Sequence, residues 1–182
     1  MRITEGELAG LLLIAPAVFG DDRGFFLELW NEQSYRTSGL EAAFVQDNFS
    51  CSRRGSLRGL HFQNPSPQGK LVSVLQGEVY DVAVDLRRRS PTFGRWAATI
   101  LSAASKQQLY VPAGFAHGFQ ALSDGALFHY KCTAPYSRRD ERTVRWDDPQ
   151  LGIAWPIRDG LVSAKDAQAP LLRDLAPEDL FD

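Results

Sequence analysis

Short apolar runs bounded by turn residues dominate the chain from residue 71 onward. Two of them, Leu71 to Leu75 and Val79 to Leu86, are rich in valine and flank Gln76-Gly77-Glu78, which predicts a β-hairpin. The later runs that predict strands are Trp96 to Leu101, Gln108 to Val111, Phe115 to Leu122, Ala126 to Thr133 and Thr143 to Trp146. Turn signals separate them at the spacing of about 8 to 12 residues that is typical of antiparallel sandwiches and barrels. The pattern therefore predicts a small all-β barrel.

Helical signals are confined to two short, peripheral segments. Glu32 to Thr37 directly follows Asn31, and Ser163 to Gln168 begins on a serine. Asparagine and serine are favoured N-cap residues because their side chains accept a hydrogen bond from a free backbone N–H of the first helical turn. We expect one short helix at each place.

Alternation along the predicted strands assigns side chains to faces. In Val79 to Leu86 the even positions are bulky and apolar, whereas Asp81 and Asp85 share the opposite face. That face is either solvated or turned into a cavity, and a period of two does not distinguish the alternatives. In Ala126 to Thr133, Tyr130 lies on the apolar face, opposite His129 and Lys131, so that its hydroxyl needs a partner inside the barrel.

Length and charge bound the class of protein. The chain has 182 residues, so we expect a single domain over residues 1–182. Its 44% hydrophobic and 23% charged residues are typical of soluble globular proteins. The 20 Lys and Arg against 22 Asp and Glu give a net charge of −2, which lacks the basic excess that binding to a polynucleotide requires. No nucleic-acid partner is expected.

Cysteine content and the N-terminal apolar run bear on the compartment. Cys51 and Cys132 are too few to stabilise a chain of this length by disulfide bonds, and they do not have the spacing of zinc ligands. This favours a reducing compartment. The run Leu11 to Phe19 is as long as a signal-peptide core, but Glu5 and Glu7 precede it, and it is shorter than the roughly 18 residues of a membrane-spanning helix. We interpret it as one or two opening strands, and expect a cytoplasmic protein with no membrane partner.

The candidate chemistry is narrowed by what the chain lacks. No glycine motif for nucleotide phosphates and no serine nucleophile elbow is present. The three histidines, His61, His117 and His129, offer too few ligands for a metal centre, so that no metal and no cofactor is expected. Proton transfer by histidine, tyrosine and lysine remains.

The densest cluster of such residues lies between Arg53 and Lys70. His61 is either a core imidazole bonded to the backbone or a catalytic group. Arg58 and His61 would lie on opposite faces of a regular strand, but Gly59 permits a bulge that re-aims one of them. We predict a β-bulge at Gly59.

A series of strings along the chain is shared with one known family. The principal strings are Arg23-Gly-Phe-Phe, Gln46-Asp-Asn48, Leu57-Arg-Gly-Leu-His61-Phe-Gln63, Gln68-Gly-Lys-Leu-Val72, Gly77-Glu-Val-Tyr-Asp-Val-Ala-Val-Asp85 and Pro112-Ala-Gly-Phe-Ala-His-Gly-Phe119. Further matches are Tyr130-Lys131, Tyr136, Glu141, Asp148-Pro149, Trp155-Pro156 and Ser163-Ala-Lys-Asp166. Together, in order from about residue 20 to residue 172, they resemble the dTDP-4-dehydrorhamnose 3,5-epimerase family.

The resemblance implies a fold and a reaction. The fold is an all-β double-stranded β-helix, a jelly-roll barrel of the cupin type with short peripheral helices, which works as a homodimer without a metal. The reaction converts a dTDP-linked 4-keto-6-deoxyhexose, dTDP-4-dehydro-6-deoxy-D-glucose, into dTDP-4-dehydro-L-rhamnose. It does so by inverting carbons 3 and 5, which flank the 4-keto group.

The resemblance also implies roles for individual residues. His61 matches the family's base, Asp166 its partner, Tyr130 the proton donor and Lys70 the lysine near the keto oxygen. Tyr136 matches the aromatic residue that stacks on thymine. The other positions that match substrate-binding residues are Arg23, Glu28, Gln46, Asn48, Arg58, His117, Glu141 and Lys165.

Three alternatives stay open at the level of the sequence. A mono-epimerase that inverts only carbon 3 or only carbon 5 of such a sugar would carry nearly the same residues. A metal-dependent cupin enzyme would need more ligands than the chain offers. A sugar-nucleotide binding module without catalysis would have no use for His61, Tyr130 and Asp166 together.

Overall fold

Strands account for nearly all of the regular structure in the computed structural model, which describes residues 1–182. In chain order they are β1 (Arg2–Glu5), β2 (Leu12–Ala15), β3 (Val18–Asp21), β4 (Gly24–Leu27), β5 (Gln46–Ser52), β6 (Ser56–Gln63), β7 (Lys70–Gln76), β8 (Glu78–Asp85), β9 (Trp96–Ser102), β10 (Gln108–Val111), β11 (Phe115–Ala121), β12 (Ala126–Cys132), β13 (Glu141–Thr143) and β14 (Leu161–Val162). The helices are α1 (Glu32–Thr37) and α2 (Ala164–Ala167), followed by 3-10 turns at Leu172–Asp174 and Pro177–Asp179.

Two sheets packed face to face form the barrel. The first sheet has the strand order β1-β2-β10-β7-β12-β5, and the second has the order β13-β6-β11-β8-β9 with β14 added in parallel beside β6. All other pairs are antiparallel, and β3 and β4 form a separate hairpin. The prediction of an all-β, cupin-type jelly roll is confirmed. No helix is long and apolar enough to span a membrane.

Most predicted elements are confirmed to within a residue or two. Both helices form where expected, and each begins at its predicted cap: the Asn31 side chain accepts a hydrogen bond from the Ser34 N–H, and the Ser163 hydroxyl accepts one from the Asp166 N–H. The apolar run Leu11 to Phe19 contributes to β2 and β3, as interpreted.

The hairpin predicted around Gln76-Gly77-Glu78 is wrong. Strands β7 and β8 form, but β7 pairs with β10 and β12 in the first sheet, whereas β8 pairs with β9 and β11 in the second. Gly77, with φ at +77°, turns the chain from one sheet to the other. The turn is held by neighbouring loops, since the Glu78 N–H donates to Ser123 Oγ at 2.8 Å and the Ala103 N–H donates to the Gly77 carbonyl. Apolar periodicity identifies two strands but not their partners.

The predicted strand Thr143 to Trp146 is also wrong in its position. Strand β13 covers Glu141–Thr143, Val144 still exchanges two backbone hydrogen bonds with Leu60 of β6, and a turn replaces the expected strand end at Trp146. Asp148 ends the segment, because its carboxylate accepts hydrogen bonds from the backbone N–H groups of Gln150, Leu151 and Leu172. A buried carboxylate with several backbone donors stabilises a turn at the expense of a strand.

Both faces of β8 are buried, which decides the alternatives for its aspartates. The even positions Val82, Val84 and Leu86 pack under the C-terminal segment, and Asp81 and Asp85 lie on the inner face, each 0% exposed. The alternative that Asp81 and Asp85 lie on a solvated face of β8 is therefore wrong. Burial alone would raise the pKa of Asp85, but hydrogen bonds from Arg87, Ser90 and Thr92 lower it to about 2.

The bulge predicted at Gly59 is confirmed. His117 of β11 pairs with His61, but Phe119 pairs with Arg58, so that β6 has one residue more than β11 over this stretch. Gly59 has φ at +133°, and a Cβ built on it would lie 2.5 Å from the Gly118 Cα. The bulge turns Arg58 and His61 toward the same cavity.

We expect Gly59→Ala to destabilise the fold by at least about 1–3 kcal/mol, because it combines a left-handed backbone with a backbone clash. Urea unfolding measures the change. Gly24→Ala is the matched control, since Gly24 has φ at +134° but nothing within 4 Å of a built Cβ. Equal costs for the two variants would show that the close approach of β6 to β11 is unimportant.

Candidate active site

A cavity of about 620 Å³ opens between the two sheets. Its lining comes from β5, β7 and β12 of the first sheet, from β6 and β11 of the second, and from residues 161–166 near the C-terminus. A smaller cavity of about 240 Å³ adjoins it, since Asn48, His61, Lys70 and Tyr130 line both. The two cavities offer one long cleft with polar groups along its length.

The structure brings most of the predicted site residues to this cleft. The larger cavity is lined by His61, Lys70, Tyr130, Asp166, Asn48, Arg58, His117 and Lys165. The smaller cavity adds Gln46, Tyr136 and Glu141. Arg23 and Glu28 do not reach it: Arg23 lies in the β3–β4 hairpin and pairs with Asp21, and Glu28 is exposed and accepts a hydrogen bond from Asn31.

His61 forms a close pair with Asp166. The Nε2 atom of His61 lies 2.7 Å from Asp166 Oδ1, and the Asp166 side chain is only 5% exposed. Burial alone would raise the pKa of Asp166, but the hydrogen bond and charge of His61 hold it below its usual value. An ionised carboxylate on Nε2 fixes the tautomer, which leaves Nδ1 as the free basic atom.

Asp166 reaches His61 across 105 residues of sequence because α2 packs against β6. The Ser163 cap starts α2, and the Gly59 N–H in the bulge lies 3.4 Å from the second carboxylate oxygen of Asp166. The same bulge therefore aims His61 and helps to hold its partner.

Lys70 places its side-chain amino group deep in the cleft. Lys70 is 9% exposed, and its Nζ atom lies 3.4 Å from the His61 carbonyl oxygen. Burial lowers the pKa of Lys70, and the nearby carboxylates of Asp81 and Glu141 act in the opposite direction. A cation in such a site can stabilise negative charge that develops on a bound ligand.

Tyr130 projects from β12 into the cleft. Its ring packs at 5.9 Å from that of Phe128, and its hydroxyl makes no hydrogen bond to the protein. A buried core tyrosine normally finds such a partner. Burial raises the pKa of Tyr130, so that the hydroxyl keeps its proton at neutral pH and can donate it.

A second histidine–carboxylate pair lies in the same cavity, and the sequence did not reveal it. His117 Nε2 lies 2.9 Å and 3.0 Å from the two carboxylate oxygens of Asp81, and both side chains are buried. The pairing follows from the register of β8 with β11, which places His117 opposite Ala83. A buried carboxylate needs a partner, and this requirement could have pointed to the Asp81–His117 pair from the sequence.

We expect Asp81→Asn to lower kcat/KM by about tenfold, the effect of one misdirected hydrogen bond. An asparagine amide donates to His117 Nε2 and thereby moves the ring proton to Nδ1, which changes the hydrogen bonding of a residue in the cavity lining. Steady-state kinetics checks this. Asp47→Asn is the matched control, because Asp47 pairs with His129 on the outside of the barrel. An equal loss in both variants would contradict a specific role for the Asp81–His117 pair.

Glu141 organises the mouth of the smaller cavity. It accepts a hydrogen bond from the Tyr136 hydroxyl at 3.1 Å and forms an ion pair with Lys165 Nζ at 2.5 Å. Burial alone would raise the pKa of Glu141, but the neighbouring Lys165 has the opposite effect, and the pKa lies below its usual value. Tyr136 is 53% exposed, so that its ring offers an apolar face at the entrance. No group of three or more His, Cys, Asp or Glu side chains is arranged to hold a metal ion.

Comparisons with known proteins agree on one family. A family model described as dTDP-4-dehydrorhamnose 3,5-epimerase matches residues 5–174. The Pseudomonas aeruginosa enzyme of that name is 51% identical over 176 residues, covering 96% of this chain and 97% of the relative.

Two solved structures are informative. The dTDP-6-deoxy-D-glucose-3,5-epimerase of Legionella pneumophila, in complex with dTDP-4-keto-L-rhamnose, superposes with a TM-score of 0.95 at 49% identity, covering 99% of this chain and 97% of that one. A 3'-monoepimerase from Streptomyces bikiniensis, in complex with dTDP-quinovose, has a TM-score of 0.87 at 35% identity, covering 95% and 88%.

Proposed function

The chain belongs to the dTDP-4-dehydrorhamnose 3,5-epimerase family, and from that premise we propose how its cleft acts. It converts dTDP-4-dehydro-6-deoxy-D-glucose into dTDP-4-dehydro-L-rhamnose by inverting carbons 3 and 5. The observation that carries the proposal is the 2.7 Å contact of His61 with Asp166, in the same cleft as the unbonded hydroxyl of Tyr130.

Lys70 makes the sugar protons removable. A proton beside a ketone is lost only if the enolate oxygen is stabilised while charge develops there. One well-placed donor is worth about 2.7–4 kcal/mol to such a transition state. The buried ammonium of Lys70, which lines both cavities, supplies this donor to the 4-keto oxygen.

Base and acid belong to opposite walls of the cleft. His61 lies on β6 of the second sheet, and Tyr130 lies on β12 of the first. A sugar ring bound between the sheets presents one face to each residue. His61 removes a proton from one face, and Tyr130 returns one to the other, which inverts the carbon. Asp166 stabilises the imidazolium that forms in between.

The remaining lining residues suit a nucleotide diphosphate. Arg58 and Lys165 provide cations for the phosphates at the larger cavity. The exposed ring of Tyr136 offers a stacking surface for thymine. Gln46, Asn48, His117 and Glu141 provide hydrogen bonds along the cleft.

A homodimer accounts for Arg23 and Glu28, which lie away from the cleft of their own chain. The β3–β4 hairpin exposes large aromatic side chains, with Phe19, Phe25 and Phe26 being 65%, 61% and 69% exposed. Such a surface is typical of a protein interface. We propose that a second copy covers it, and that the hairpin of each copy extends to the cleft of the other.

Two further proposals concern the whole chain. Residues 1–182 act as one domain, which is supported by the packing of the C-terminal segment onto the second sheet. The enzyme acts in the cytoplasm, which is supported by its two unpaired cysteines.

The test is proton NMR of the product that forms from dTDP-4-dehydro-6-deoxy-D-glucose in deuterated water. We expect deuterium at both carbon 3 and carbon 5, and a product with both centres inverted. Exchange at one carbon only would instead support the mono-epimerase alternative, and unchanged substrate would support a binding module.

A further inference from the structure

Residues 157–166 form a strap that crosses the edge of the second sheet and enters the cleft. Leu161, Val162, Ser163, Lys165 and Asp166 of this strap line the larger cavity. The strap has little regular structure of its own, since it contains only β14 and the first three residues of α2. Its position must therefore come from contacts with the barrel.

Gln120 holds the start of the strap at two points. This residue of β11 is 0% exposed. Its Nε2 donates to the Ile157 carbonyl at 2.8 Å, and its Oε1 accepts from the Ile157 N–H at 2.9 Å. One amide side chain thus satisfies both backbone groups of one residue, as a neighbouring strand would.

The contacts that follow continue this attachment. A Cβ built on Gly160 would lie 3.0 Å from Gln120 Nε2, so that the strap backbone passes directly over the amide. The Leu161 N–H then donates to the Gly55 carbonyl at 2.8 Å, and β14 pairs with Ser56 and Leu57 at the beginning of β6. The strap is thereby aligned with the strand that carries His61.

We propose that Gln120 is a positioning residue for catalysis, which sets the place of Asp166 relative to His61 through the strap. The inference rests on the proposed roles of these two residues. Without the clamp, Ile157 loses both partners, and only the contacts from Leu161 onward keep the strap against β6. A displacement of about 1 Å at a reacting group can cost about a hundredfold in rate.

The first experiment compares Gln120→Leu with Gln108→Leu. Gln108 is the matched control, because it is 1% exposed and equally bonded, to Tyr35, Leu29 and Ser73, but holds no part of the strap. For Gln120→Leu we expect at least a tenfold lower rate of solvent deuterium exchange into saturating substrate, and faster amide hydrogen exchange in residues 157–166. For Gln108→Leu we expect lower stability but an unchanged exchange rate per folded enzyme.

A double-mutant cycle with Asp166→Asn separates positioning from general damage. If Gln120 acts through Asp166, the rate loss caused by Gln120→Leu largely disappears in the Asp166→Asn background. A full, additive loss in that background would overturn the inference. An unchanged rate in Asp166→Asn alone would instead overturn the proposed role of Asp166, and with it the basis of the inference.

A second variant decides the matter if Gln120→Leu does not fold. Gly160→Ala leaves the buried amide in place but adds a methyl group 3.0 Å from Gln120 Nε2. It should reproduce the rate loss and its dependence on Asp166. A wild-type exchange rate in Gly160→Ala, together with faster hydrogen exchange in the strap, would show that strap position is irrelevant to catalysis.

Discussion

His61→Ala is expected to lower the rate of carbon–proton exchange by at least about 10²–10⁴, the usual worth of a general base. In the proposed mechanism the imidazole of His61 faces the sugar, with Asp166 2.7 Å behind it. The other histidine–carboxylate pair of the cavity, His117 with Asp81, is given no part in removing the proton. Deuterium incorporation from solvent, followed by proton NMR, measures the loss directly.

Binding of dTDP is the internal control for this variant. In the proposed mode of binding Arg58, Lys165 and Tyr136 hold the nucleotide and His61 does not, so that the affinity for dTDP should change little. Exchange close to the wild-type rate would overturn the assignment of the base. A parallel loss of dTDP affinity would show that the substitution has disturbed the cleft as a whole.

Tyr130→Phe should reduce net inversion by about 10²-fold or more while it reduces exchange much less. The phenylalanine ring retains the packing against Phe128, and only the proton donor is lost. His61 still removes a proton and can return solvent deuterium to the same face. The ratio of the two rates in one protein is the measurement, because it cancels any general loss of folded enzyme.

Two outcomes would contradict this role for Tyr130. Equal losses of exchange and inversion would indicate that the tyrosine only orients the ketone or supports the wall. An unchanged inversion rate would remove it from the mechanism. Since its hydroxyl has no protein partner, the cost of leaving a buried partner unpaired does not arise within the free enzyme.

The local features of the fold could be predicted because their causes are local. The Asn31 and Ser163 caps, the strand alternation around Tyr130 and the bulge at Gly59 each depend on a few neighbouring residues. The bulge in particular followed from the need to place Arg58 and His61 on one side of a strand. These elements carry much of the proposed chemistry.

The features that escaped prediction depend on which distant segments meet. The turn at Gly77 looks like a hairpin in sequence, but it joins two sheets, because the partners of β7 and β8 lie elsewhere in the chain. The face of Asp81 was undecided because the C-terminal segment covers the other side of β8. The Asp81–His117 pair joins residues 36 positions apart, and the Gln120–Ile157 clamp joins residues 37 positions apart.

The stacked rings of Phe119 and Phe128 are packed between the two sheets that carry the proposed base and acid. They belong to opposite sheets, lie 3.9 Å apart and both line the larger cavity. We expect the separation of His61 and Tyr130 to depend on this hydrophobic packing, since no hydrogen bond or ion pair links the two residues directly. We expect a change in ring size there to alter the width of the cleft without touching His61 or Tyr130, so that the carbons within reach of both walls are selected by a core position.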